Sequence, residues 1–197
     1  MIRATAAHAV NKTGTTNRLG EQDVYLFREG THDALYAVMG CMLGEDSATF
    51  RLWAPNAARV SVIGDWNGWN ADSNPLTVRG DYTGIWEGTA PGVVRGHAYK
   101  YRVVTRDGRA LDKADPFALY AESPPLTASR AWTLDYEWGD AAWMASRRAR
   151  NALDAPISIY ELHVGSWRRQ DPARFPSYRD IAPALADYVV EQGFTQT

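Results

Sequence analysis

From Ala48 onward, apolar and polar residues alternate over short runs. Phe50 and Leu52 alternate with Arg51 and Trp53, Val60 and Val62 flank Ser61, and Tyr99, Tyr101 and Val103 alternate with Lys100 and Arg102. A period of two puts every second side chain on one face, so these runs predict half-buried strands. Turn signals separate them: Ala54-Pro55-Asn56, Asn67-Gly68, Gly80-Asp81, Pro91-Gly92 and Asp107-Gly108, the last read as a two-residue hairpin turn. Short strands closed by such turns predict a mainly β chain whose principal domain, residues 23–112, is an immunoglobulin-like antiparallel β-sandwich.

The flanks read differently. Residues 1–22 are polar and turn-rich (Asn11, Lys12, Thr13, Gly14) and predict a flexible N-terminal arm. Residues 113–155 carry Pro116, Pro124 and Pro125 and three scattered tryptophans (Trp132, Trp138, Trp143) without a sustained period, which predicts an irregular connector. Ile157 to Val164 is mostly apolar on both faces, as in a strand buried in a parallel sheet. A helix is predicted next. Ser177 stands three residues before Asp180 as a capping pair, Ile181, Leu185, Tyr188 and Val189 make one apolar stripe, and Gly193 sits where a C-terminal stop belongs. Phe194 and Thr195 read as the opening of another strand. Residues 156–197 therefore predict the first half of a βαβ unit, with the strand edge open for want of a neighbour.

Composition narrows the functional classes. With 45% hydrophobic and 22% charged residues, the 197-residue chain can bury a core. A formal net charge of -2 gives no general attraction to nucleic acid or to an anionic membrane, although Arg147, Arg148 and Arg150 make a local basic patch. A neutral partner fits better, and eight Trp and ten Tyr supply flat faces to grip one. Cys41 is the sole cysteine, which rules out a disulfide within the chain and fits a reducing cytoplasmic compartment. Residues 1–23 hold no apolar stretch long enough for a signal peptide core or a membrane span.

The most distinctive local string is Gly64-Asp65-Trp66-Asn67-Gly68-Trp69-Asn70, two indoles and two amides on a turn after a strand. Sugar rings present C–H faces that pack on indole and hydroxyl edges that amides can bond, so Trp66, Asn67 and Trp69 are candidate carbohydrate contacts. The competing reading makes one indole core and the rest turn chemistry. Lys100, on an outward strand position, is either a helper at that surface or a solvated charge. Glu161 and His163 share a strand face and could form an acid/base pair, but a bonded buried polar role is preferred. No Cys/His spacing suggests zinc and no glycine loop cradles phosphate, so neither a metal nor another cofactor is expected.

Several strings resemble the amino-terminal region of bacterial glycogen branching enzymes: Tyr25-Leu26-Phe27-Arg28-Glu29-Gly30-Thr31-His32, Leu52-Trp53-Ala54-Pro55-Asn56-Ala57, Gly64 to Trp69, Lys113-Ala114-Asp115-Pro116-Phe117, and Ala155 to Arg168. The resemblance runs from about Asp23 to Thr195. It implies a glycogen-binding sandwich followed, over residues 156–197, by the first strand and helix of a truncated catalytic (β/α) barrel, with glycogen or another α-1,4-glucan as partner. In that family an aspartate and a glutamate cleave an α-1,4 bond and pass the chain to a 6-hydroxyl, retaining chemistry with a sugar acceptor in place of water. The family carries both carboxylates on later barrel strands, so no position here inherits a catalytic role, and the stretch ending in Gln196-Thr197 is expected to be an inactive N-terminal fragment. In related modules Trp69 and Lys100 match sugar-contacting positions, whereas Arg109-Ala110 stands where a second platform tryptophan is expected. The alternatives are a related debranching or trehalose-releasing hydrolase and a non-catalytic glycan-binding module.

Overall fold

The computed structural model describes residues 18–169 and 171–197, so most of the predicted N-terminal arm lies outside the described residues. The described chain forms two compact units, one reaching Tyr136 and the other running from Glu137 to Thr197.

The first unit is an antiparallel β-sandwich. Its strands are β1 (Gly40–Leu43), β2 (Ser47–Trp53), β3 (Ala57–Gly64), β4 (Pro75–Val78), β5 (Ile85–Pro91), β6 (Ala98–Thr105), β7 (Ala110–Lys113), β8 (Tyr120–Ala121) and β9 (Ser129–Arg130). They pair in the order β1-β2-β5-β4-β3-β6-β9-β8, with β7 on β6. β4 pairs with both β3 and β5, so the sheet curls over and closes on its own inner side chains. The alternation sets which side chains those are: Ala48, Phe50 and Leu52 from β2, Val60 and Val62 from β3, and Tyr99 and Tyr101 from β6 are buried together. Phe50 meets Tyr99 and Tyr101 edge-on, at centroid distances of 5.2 and 6.3 Å.

Three expectations are corrected in this unit. Arg51, an outward position by period, is buried because residues 19–39 cover that face: helix α1 (Glu21–Glu29) leads to Val38 and Met39, which pack with Leu19 and Ile85. Its guanidinium meets Glu87 at 3.0 Å and donates to the Val38 carbonyl at 2.9 Å, which answers the cost of burying the charge. The Asp107-Gly108 turn has three loop residues, since Thr105 and Arg109 bond across it and Gly108 takes φ 87°. Residues 113–155 also hold more structure than a connector. β8 and β9 join the sandwich through Tyr99↔Ser129, and helix α2 (Ala141–Arg150) belongs to the second unit. Two-residue strands have no period to read, which is why the alternation missed them.

Asp115 fixes the start of this late segment. Buried, it accepts from the Tyr99 hydroxyl at 2.6 Å, more weakly from Tyr101 at 3.4 Å, and from the Phe117 N–H at 2.8 Å. Burial raises its carboxyl above the ordinary carboxylate range against those bonds, and burial with the nearby Asp115 carboxylate pushes the Cys41 thiol up as well.

In the second unit, helix α3 (Tyr178–Glu191) starts at the Ser177–Asp180 capping box. Ile181 is buried and Leu185, Tyr188 and Val189 are half-buried, the predicted stripe. Gly193 takes φ 76° just past its end. Tyr188 packs edge-on with Tyr160 at 5.3 Å and Trp167 at 5.8 Å, and the Trp167 indole donates to the Tyr160 hydroxyl at 3.0 Å. The predicted strand from Ile157 to Val164 shrinks to one parallel bridge, Ile159↔Gln196, flanked by bonds from Tyr160 to Gln196 and from Thr195 to Ser158. The neighbour expected to be missing is thus Thr195-Gln196, reached through α3 in the βαβ manner. Ile157 and Ile159 are 65% and 66% exposed, so the strand is not buried on both faces.

Candidate carbohydrate site on the sandwich

The turn after β3 follows from packing at Gly64. A Cβ there would lie 2.4 Å from the Trp66 ring and 2.6 Å from the Ala98 carbonyl, so only glycine lets the indole fold back over the strand end. Trp66 then lies nearly parallel to Phe50, with centroids 5.5 Å apart, and to His97 at 6.2 Å. Its N–H donates to the Asn74 side-chain oxygen at 3.1 Å. Trp66 therefore packs against the core.

Asn67 is turn chemistry. It donates to the Val62 carbonyl at 3.1 Å and to Asn74 at 2.7 Å, and it accepts from the Gly64 N–H at 3.0 Å. An amide bonded three ways inside the turn holds the loop shape and has little left for a ligand. Asn74 and Asp65, which the sequence reading did not single out, complete the support. Asp65 caps the Ala98 N–H at 2.7 Å and accepts from the Trp69 indole at 3.2 Å. An acid and an amide bracketing an indole turn were the available signal.

Trp69 points the other way in energy as well as exposure. It is 39% exposed and takes φ 62°, the left-handed region that costs a bulky residue about 1–2 kcal/mol. The following strands bring Lys100 to the same end of the sandwich, because Ile63↔Lys100 and Gly64↔Tyr99 pair and the Trp69 N–H bonds the Gly64 carbonyl at 3.0 Å. Lys100 is half-buried along its stem and its ammonium donates to Thr127 at 2.7 Å, in the loop between β8 and β9. At the other end of β6, Arg109 pairs with Asp107 at 2.8 Å on an exposed turn.

Glu161 and His163 are both exposed and lie outside any strand; His163 bonds Ser166 at 3.1 Å within a turn. The expected buried, bonded pair is not formed, because the segment makes a single bridge rather than a strand. Among the described residues, no helix is long and apolar enough to cross a membrane.

Residues 38–118 match the family Carbohydrate-binding module 48 (Isoamylase N-terminal domain). Over 94% of its length the chain is 57% identical to the 1,4-alpha-glucan branching enzyme GlgB of Aromatoleum aromaticum, and over 90% it is 46% identical to that of Aquifex aeolicus. The chain is similar to the amino-terminal region of the 1,4-alpha-glucan branching enzymes. It spans 29% of the length of each of these two relatives. A crystal structure of a Salmonella typhimurium protein assigned to the alpha amylases superposes on 79% of the chain and 23% of its own, with a TM-score of 0.54 and 22% identity, a likeness of fold. The sandwich of this chain keeps its turn indoles divided, one on the core and one outside.

Proposed function

We propose that this chain supplies the glucan-holding sandwich of a 1,4-α-glucan branching enzyme, working in cytoplasmic glycogen synthesis, and that Trp69 is its platform with Lys100 beside it. The observation that carries the reading is Trp69 itself: an indole held in a left-handed conformation and kept partly exposed, while Trp66 three residues earlier is spent on the core. The match of residues 38–118 to a carbohydrate-binding family and the identity to branching enzymes support the same reading. Trp66 and Asn67 then act through the turn, as positioning residues. The parent reaction is cleavage of an α-1,4 bond and transfer to a 6-hydroxyl, a retaining process that needs two carboxyl groups.

The test has two arms. Maltoheptaose titrated calorimetrically into the chain should give heat of binding that Trp69→Ala removes and Lys100→Ala weakens. Amylose incubated with residues 1–197 alone should keep its iodine colour and release no reducing ends. Absence of binding by the wild-type chain overturns the platform assignment. Branching or hydrolysis by this stretch overturns the view that its part in the reaction is to hold glucan.

A further inference from the structure

The exposed indole of the turn is tied at two points. Its backbone N–H bonds the Gly64 carbonyl at 3.0 Å, and its ring N–H donates to Asp65 Oδ1 at 3.2 Å. Asp65 is itself anchored, because its other oxygen accepts at 2.7 Å from the N–H of Ala98, the first residue of β6. One carboxylate therefore joins the ring of Trp69 to the strand that carries Lys100 two residues further on. As with Trp66, whose N–H is held by Asn74, the single donor of the Trp69 ring is spent within the turn. What it has left for a ligand is its face.

Two N–H donors converge on Asp65, and a side chain serves both only if it offers two acceptor oxygens. An amide of the same shape has one oxygen and one NH2, so it meets one of the two N–H groups donor to donor. Ala98 is buried and Trp69 is exposed, which decides where the oxygen goes. A bare buried N–H costs its full desolvation, whereas water can bond the indole N–H. The amide turns its oxygen to Ala98 and its NH2 to the indole, so the ring comes free while the start of β6 stays capped. Asp65→Asn thus separates the hold on the ring from the hold on the fold.

We infer that Asp65 is a positioning residue of the glucan site, one that fixes the ring plane of Trp69 relative to β6 before any sugar arrives. The inference rests on the glucan-binding reading of Trp69 above. A ring already held in its binding orientation loses no further freedom when a sugar stacks on it, whereas a ring free to turn must be ordered at that moment. Asp65 touches no ligand in this role. Its effect on binding passes through the indole N–H.

The experiment is maltoheptaose titrated into the isotopically labelled chain and into Asp65→Asn, with nitrogen relaxation of the indole N–H groups recorded on both. In the wild-type chain the Trp69 N–H should relax as a rigid group, like that of Trp66; a mobile ring there overturns the inference, and this reading needs no variant. In Asp65→Asn the Trp69 N–H alone should become mobile, the melting profile should hold, and affinity should fall about three- to tenfold. Trp69→Phe supplies a second reading, because a phenyl ring has no N–H to hold. Asp65→Asn added to Trp69→Phe should weaken binding no further than Trp69→Phe alone. A further fall in that background puts the carboxylate on the sugar itself and overturns the positioning role. Unchanged affinity in an Asp65→Asn chain whose ring is free also overturns it, and the Trp69 platform stands. A wild-type chain that keeps the ring rigid yet binds no maltoheptaose overturns the platform reading, and with it any part of Asp65 in binding.

Discussion

Trp66 and Trp69 stand three residues apart on one turn yet serve opposite sides of the sandwich surface. Trp66 lies nearly parallel to Phe50 at 5.5 Å with its N–H bonded to Asn74, whereas Trp69 is 39% exposed with its N–H on Asp65. Their substitutions should therefore separate stability from binding. Trp66→Ala should cost about 3 kcal/mol by leaving a cavity against Phe50, and Trp69→Ala about 1 kcal/mol or less. Urea denaturation of both variants measures the difference; equal losses would mean Trp69 is also core.

The backbone at Trp69 gives a sharper contrast. With φ at 62°, Trp69→Gly should be more stable than Trp69→Ala by about 1 kcal/mol, since glycine adopts the left-handed region without a Cβ clash. Thermal melts of the two variants decide it. Both lose the indole equally, so a reversed order would show that the turn relaxes once the ring is gone.

Acid stability should depend on the β4–β5 hairpin. Burial opposes ionisation of Asp81, but bonds from the Thr83 hydroxyl and N–H and from Arg79 outweigh it and hold its carboxyl at about 2, below the ordinary 3.8. A lowered folded value means the unfolded chain takes up the proton first as pH falls, so this contribution is present above pH 3.8 and is lost on the way to about 2. Asp81→Asn should cost about 1 kcal/mol at neutral pH, the screened worth of a partly exposed network, and flatten the stability curve across that window. Asp115 acts in the opposite sense. Its raised value makes its contribution largest below the ordinary carboxylate range and smaller as pH rises through its folded value.

How much of this was legible in the sequence depends on the length of the pattern. The alternation over Phe50–Trp53, Val60–Val62 and Tyr99–Val103 placed the core-facing side chains of β2, β3 and β6, because strands of seven or eight residues repeat the period enough to read. The α3 stripe and the Ser177–Asp180 cap were legible for the same reason. Arg51 was not, since its burial comes from residues 19–39 folding over the sheet, a long-range event with no local sign. The turn string announced two indoles but not which one faces out. That division is made by Gly64 and Asn74, whose roles appear only once β3, β4 and the turn are together.

The extent of the sandwich is testable as well. The sequence places its end at residue 112, but Ala131 is fully buried and exchanges backbone bonds with Gly96 and His97 at 2.8 and 2.9 Å, and Trp132 packs on Tyr120 at 4.9 Å with Arg95 over its ring. A chain ending at Tyr136 should melt cooperatively and stay monomeric, whereas one ending at Ser129 should lose about 2–3 kcal/mol, the sum of two backbone bonds and a partly exposed aromatic pair. The 197-residue chain should be the less soluble of the folded forms, because its second unit leaves Ile157, Ile159 and Val190 open to solvent. Sedimentation of the three chains compares them; a monomeric 197-residue chain at high concentration would contradict the last point.

The central claim, that the exposed indole of the turn is where glucan sits, is tested most directly by native electrophoresis in gels cast with and without glycogen. The wild-type chain should be retarded in proportion to glycogen concentration, and Trp69→Ala should migrate as it does in the plain gel, with an unchanged melting profile to show that it is folded. Retardation of a folded Trp69→Ala chain equal to that of the wild type would contradict the account.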